Sequence, residues 1–171
     1  HMSDWNMQGQ APGETPFGNR YPDRVWWAFE PLWKVVCMTA LQALIGFAAW
    51  TLILVAGVFL YRGMKFVTGT PINSWPRGAK PAGDAPVIKR LEDAHANCLE
   101  NLPVFAVIVL GATALGRLDT VAALAPWVLY ARIAQSVTHL TGVGRPHVFV
   151  RASFWSIQLG LMLWMAFKLL G

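Results

Sequence analysis

Val35–Tyr61 reads VVCMTALQALIGFAAWTLILVAGVFLY, without a single charged side chain. A helix rises 1.5 Å per residue, so about 20 apolar residues cross a hydrocarbon layer about 30 Å thick. The stretch is long enough to do so, and in lipid a helix satisfies its own backbone groups. Three further apolar segments follow, at about Leu99–Leu115 with a more polar helical lead-in from Val87, Val121–Leu140 and Val148–Leu170. The first and fourth are clear spans. The second and third are less apolar, which implies that part of their surface faces protein rather than lipid. The alternation of a barrel strand is absent. The expected fold is therefore an all-α integral membrane protein, a four-helix transmembrane bundle.

Composition agrees. Of 171 residues, 55% are hydrophobic and only 13% charged, where a soluble domain carries about a quarter charged. Nine Trp and nine Phe suit bilayer interfaces. The domain reading is an N-terminal extension over 1–34, with interfacial aromatics in "VWWAFEPLW", followed by the membrane domain over 35–171. The leading His1-Met2 reads as a cloning remnant, and no cleavable signal peptide is evident. Cys37 and Cys98 suggest free thiols rather than a disulfide framework.

The net charge of +5 follows topology and not nucleic-acid binding. Arg62, Lys65, Arg77, Lys80, Lys89 and Arg90 lie between the first two spans, and Arg145 and Arg151 at the turn into the fourth. The loop between spans two and three offers Arg117 against Asp119. By the positive-inside rule the first and third loops are cytoplasmic, and both termini face the other side. The first loop, "TGTPINSWPRGAKPAGDAP", is rich in Pro and Gly; it either folds over the cytoplasmic mouth or merely connects.

Polar residues recur at helical spacing on these apolar segments. Arg90, Asp93, Asn97 and Glu100 share one face of the second helix, with His95 pointing away. Arg132, Gln135, Ser136 and His139 form a stripe on the third, and Arg151, Trp155 and Gln158 on the fourth. A charge at the bilayer centre costs about 2.5–3.5 kcal/mol on insertion scales. Spacing leaves two readings open: a Glu100–Arg132 salt bridge that fixes helix register, or a cavity for a polar ligand. The stripes hold more polar groups than one salt bridge needs. Their cationic excess favours an anion, and Asn97 with Glu100 suits ammonium or amide donors. A small zwitterionic peptide with two carboxylates fits this inventory. Metal chemistry is disfavoured, because His95, His139 and His147 lack paired metal-motif spacing. "TGVGRP" is a turn and not a nucleotide fingerprint.

The stretch Ala94–Phe105, "AHANCLENLPVF", preceded by Arg90, closely resembles the signature of the MAPEG family, the membrane-associated proteins of eicosanoid and glutathione metabolism. The residues that carry it are Arg90, Ala94-His95, Asn97, Glu100, Pro103 and Phe105. "YARIAQSVTHL" and "VRASFW" look like the family's third-helix pattern and the start of its fourth. The resemblance, to a bacterial-type member, covers about Val35–Leu170. It implies a four-helix protomer, a homotrimer, and glutathione as co-substrate bound between subunits near the cytoplasmic side of a bacterial inner membrane.

Carried over residue by residue, Asn97 and Glu100 match glutathione contacts on helix two. Arg132 and His139 match contacts on helix three, with His139 in place of a common Tyr. Arg151 matches the catalytic arginine that stabilises the thiolate, and Arg62 a basic residue ending helix one. Asp93 stands where better-known members carry a carboxylate-binding Arg, and Gln135 replaces a His or Tyr. Arg90, on the same face, either compensates for Asp93 or pairs with it.

The implied activity is a glutathione transferase or peroxidase acting on a lipophilic electrophile or lipid hydroperoxide from the bilayer. Phe154 and Trp155 are candidates to line its groove, or are simply lipid-facing. A non-catalytic membrane binding or scaffold relative is the alternative. A small transporter using Glu100 is a third reading, disfavoured because the polar residues cluster toward one side.

Overall fold

The structure is a computed structural model, and residues 38–76, 81 and 83–171 are described. The described chain forms α1 (Ala40–Val67), a 3-10 turn (Ile72–Ser74), α2 (Pro86–Ala114), the short α3 (Asp119–Ala122), α4 (Ala125–Thr141) and α5 (Arg145–Leu170). No strand occurs among the described residues. Cys37 and the aromatic cluster of the N-terminal segment lie outside them.

Local chemistry sets the helix ends. Thr39 and Gln42 close a reciprocal capping box at the start of α1, Gln42 N–H to Thr39 Oγ1 at 3.1 Å and Thr39 N–H to Gln42 Oε1 at 2.9 Å. That box starts the helix five residues after the apolar run begins. Pro86, Pro126 and Pro146 sit in the first turns of α2, α4 and α5, where a missing N–H costs nothing. Helix α2 continues through Pro103. At the far end of α5, Arg117 donates to the Leu169 and Lys168 carbonyls at 2.9 and 3.0 Å, satisfying groups the last turn leaves open.

Among the described residues three helices, α1, α2 and α5, are long and apolar enough to cross a membrane. The expected third span is different: it divides into α3 and a 17-residue α4. The reason is visible in its surroundings. Helices α2 and α4 lie on the short diagonal of the bundle, each packed against the other three long helices, while α1 and α5 flank them. With Ala125, Val128, Leu129, Ala131, Arg132, Gln135, Ser136 and His139 all buried, α4 needs little lipid-facing apolar surface.

Small residues let the helices approach. A Cβ added at Gly46 would stand 2.8 Å from Leu129, and one at Gly57 would stand 2.8 Å from Leu91. Such glycines are typical of membrane helix contacts, where close packing replaces the hydrophobic effect as driving force.

The core is layered along the bundle. One half is apolar: Phe47 packs on Phe105 with ring centroids 5.8 Å apart, among Val109, Ala112, Val121, Val128, Met162 and Met165. The other half, toward the basic loops, holds the polar side chains.

Candidate functional site

The polar layer is built on α4. Arg132, Gln135, Ser136 and His139 recur at i, i+3, i+4 and i+7, so one face carries all four, and all are buried. Ser136 Oγ donates to the Arg132 carbonyl at 2.9 Å and lies 3.8 Å from the Cys98 Sγ of α2. Gln158 of α5, fully buried, donates through Nε2 to Gln135 Oε1 at 2.8 Å and to the Phe154 carbonyl at 3.0 Å.

Arg132 is the largest fully buried side chain among the described residues, at 0% exposure. Its guanidinium lies over the Phe47 ring, 5.3 Å from the centroid. Neither its Nε nor its Nη2 has a hydrogen-bond partner, and Gln158 Oε1 has none either. A desolvated cation–π contact is worth about 2 kcal/mol, whereas a mid-membrane arginine costs about 2.5–3.5 kcal/mol or more. The ring offsets only part of that cost and satisfies none of the N–H donors. The guanidinium therefore keeps unsatisfied donors inside the polar layer.

The α2 stripe behaves differently. Arg90 Nε donates to the Leu140 carbonyl at the end of α4, at 3.0 Å. Asp93 and Asn97 are half-buried, and Glu100 is exposed on the protomer's own surface. The Glu100–Arg132 salt bridge weighed above is not formed: no ion pair joins them among the described residues. Arg132 points inward, over Phe47, while Glu100 lies on the outer side. His95 does point away from the stripe. Its Nδ1 lies 3.1 Å from the Thr51 carbonyl of α1; a carbonyl only accepts, so this nitrogen carries the proton.

Arg62 stands apart from both groups. Near the end of α1 it pairs with Glu92 and lies 5.9 Å from the Trp75 ring centroid. The first loop therefore does more than connect. Trp75 Nε1 donates to Asp84 at 3.2 Å, and the Ala85 N–H to Tyr61 Oη at 3.2 Å, strapping the loop to α1. Arg151, in the second turn of α5, is half-buried and its Nε lacks a partner. It stands two turns before Gln158, on the same side of the helix.

The expected residues thus divide into an interior set (Arg132, Gln135, His139), an outer set on α2 (Asn97, Glu100), Arg90 and Arg62, both engaged by protein groups, and Arg151 on α5, half-buried with an unpartnered Nε. Sequence reasoning left Gln158 out of the site, although its spacing from Arg151 signalled a shared face. Phe47 and Cys98 carried no signal, because an aromatic or thiol on an apolar helix looks like core.

Residues 40–171 match the model of the MAPEG family. The chain belongs to the MAPEG family. No curated protein and no solved structure matches it. Membership places this MAPEG chain among membrane proteins of eicosanoid and glutathione metabolism, and the matched range takes in α1 to α5, with every residue of the polar layer.

Proposed function

We propose that the protein is a membrane-bound, glutathione-dependent transferase or peroxidase that presents the thiol as a thiolate to lipophilic electrophiles. The observation that carries this reading is the fully buried Arg132 with two N–H donors unpartnered, in a chain of this family. Arg151, with a free Nε at the basic end, is assigned the sulfur. A free thiol of reference pKa about 8.5 is only a few per cent ionised at pH 7. A guanidinium beside the sulfur favours the anion, and a shift of about two units, about 2.7 kcal/mol, makes the thiolate predominant. Arginine suits this task because it stays protonated and donates in a fixed fork.

In the transferase reaction the thiolate forms a C–S bond at an electrophilic carbon while the leaving group departs with the bonding pair. In the peroxidase reaction it attacks the hydroperoxide, breaking O–O. A second glutathione then displaces water, so that two thiols and one hydroperoxide yield a disulfide, an alcohol and water. Arg132, Gln135 and His139 are assigned to the polar body of glutathione, with Asn97, Glu100, Arg90 and Arg62 as further contacts. Asn97 and Glu100 reach it from a neighbouring copy in a homotrimer, which accounts for their outward placement. The membrane is a bacterial inner membrane with both termini on its non-cytoplasmic side.

The test uses detergent-purified protein mixed with glutathione, followed by thiolate absorbance, then by turnover of an activated aryl chloride and of a lipid hydroperoxide. Absence of both signals would overturn the reading. Turnover undiminished in Arg151→Ala would remove the role given to that arginine. A specific observation favours a non-catalytic binding protein as second reading: Arg62 and Arg90 are already held by Glu92 and the Leu140 carbonyl. Glutathione binding without turnover is its signature.

A further inference from the structure

We infer that Gln158 is a positioning residue: it fixes the side-chain amide of Gln135 so that the N–H end is left for an acceptor oxygen of the bound thiol peptide. The inference rests on the glutathione-binding reading above and adds a residue that reading does not use.

The orientation follows from one group that has a single role. A backbone carbonyl only accepts. The Phe154 carbonyl lies 3.0 Å from the terminal nitrogen of Gln158. Turning that amide over would set Oε1 against the carbonyl, acceptor against acceptor. With one Nε2 proton on Phe154, the other lies on Gln135, whose facing atom, 2.8 Å away, accepts and is therefore Oε1. The opposite end of the Gln135 amide is then Nε2. No hydrogen bond joins that nitrogen to protein among the described residues.

Burial gives this chain of roles its weight. Gln158 is 0% and Gln135 3% exposed. The contact does not satisfy both side chains, because Gln158 Oε1 is buried with no partner, and an unmade hydrogen bond in such a place is unfavourable. What the contact does achieve is to spend both Gln158 protons and commit Gln135 as a donor. Gln135 stands three residues from Arg132 on the buried face of α4, where Arg132 Nε and Nη2 also lack acceptors. The two side chains thus offer N–H groups, and the one amide oxygen between them is already taken by Gln158. A ligand oxygen matches that set; a ligand N–H does not. A Gln135 amide free to turn would present its own oxygen to the same ligand atom and repel it.

The experiment measures glutathione affinity by titration calorimetry on the detergent-purified full chain, with melting temperature alongside, for the wild type, Gln158→Leu, Gln135→Leu and the double variant. Each single variant is expected to weaken binding about fivefold, the loss of one hydrogen bond. The double variant is expected to show the same fivefold loss and not its square, because Gln158 acts through Gln135, while its melting temperature returns toward the wild-type value. Unchanged affinity in Gln158→Leu overturns the inference. So does a double variant in which the losses multiply, since Gln158 then meets the ligand itself, or one in which affinity returns together with melting temperature, since the contact is then structural only. This affinity pattern without turnover would support the inference and overturn the enzymatic reading alone, whereas absence of glutathione binding in the wild type would overturn both.

Discussion

Helices α2 and α4 each carry a polar stripe that follows the helical period, and the two stripes meet opposite fates. On α4 the stripe is buried, and Arg132 is sealed from solvent. On α2 Glu100 is exposed and Asn97 half-exposed. Helical periodicity is the same for both; the neighbours differ. α4 turns its stripe toward α1, α2 and α5, whereas the residues that α2 buries, Ala94, Cys98 and Phe105 among them, are apolar. A stripe on a membrane helix thus specifies a face, and packing decides whether that face is interior or offered to something else.

The sharpest way to break this comparison is Arg132→Met. Replacing a buried charge by an apolar side chain of similar volume is often neutral or stabilising. Thermal stability in detergent is therefore expected to hold, while glutathione-dependent turnover falls by about 100-fold, the loss that follows removal of one transition-state donor. A large drop in melting temperature with activity retained would make Arg132 structural and place both stripes in the same class.

Arg151→Ala is expected to cost a similar factor in turnover and to abolish the thiolate absorbance, with little effect on folding because the side chain is only half-buried. Glu100→Gln separates the stripes from the other side. It is expected to raise KM for glutathione by about tenfold, the loss of one charge-assisted hydrogen bond, with no change in melting temperature. An unchanged KM would show that the outer stripe takes no part in binding.

The smallest effect is expected at the Gln158–Gln135 contact. Gln158→Leu leaves Gln135 without its donor, and polar contacts between membrane helices are worth about 0.6–2 kcal/mol. A fall of a few degrees in melting temperature should follow. The double change Gln135→Leu with Gln158→Leu should recover most of it, because removing both partners leaves no buried acceptor unsatisfied. Failure of the double variant to recover would assign Gln135 a second role in the polar layer.

The three long apolar helices α1, α2 and α5 were legible from the sequence because length, apolarity and charge are local properties; the break between α3 and α4 was not. The capping box at Thr39–Gln42 and the prolines at three helix starts are equally local. The motif around Asn97 and Glu100 was enough to identify the family. The face each polar residue occupies was legible too, from a period of 3.6 residues. Which faces meet was not. That Arg132 lies over Phe47, that Gln158 donates to Gln135, and that Arg62 is taken by Glu92 and Trp75 are contacts between residues far apart in the chain. Spacing along one helix carries no information about the rotation of its neighbours. Only the tertiary packing, set by close approaches such as Gly46 to Leu129, decided which charge is buried over an aromatic ring and which is held in an ion pair.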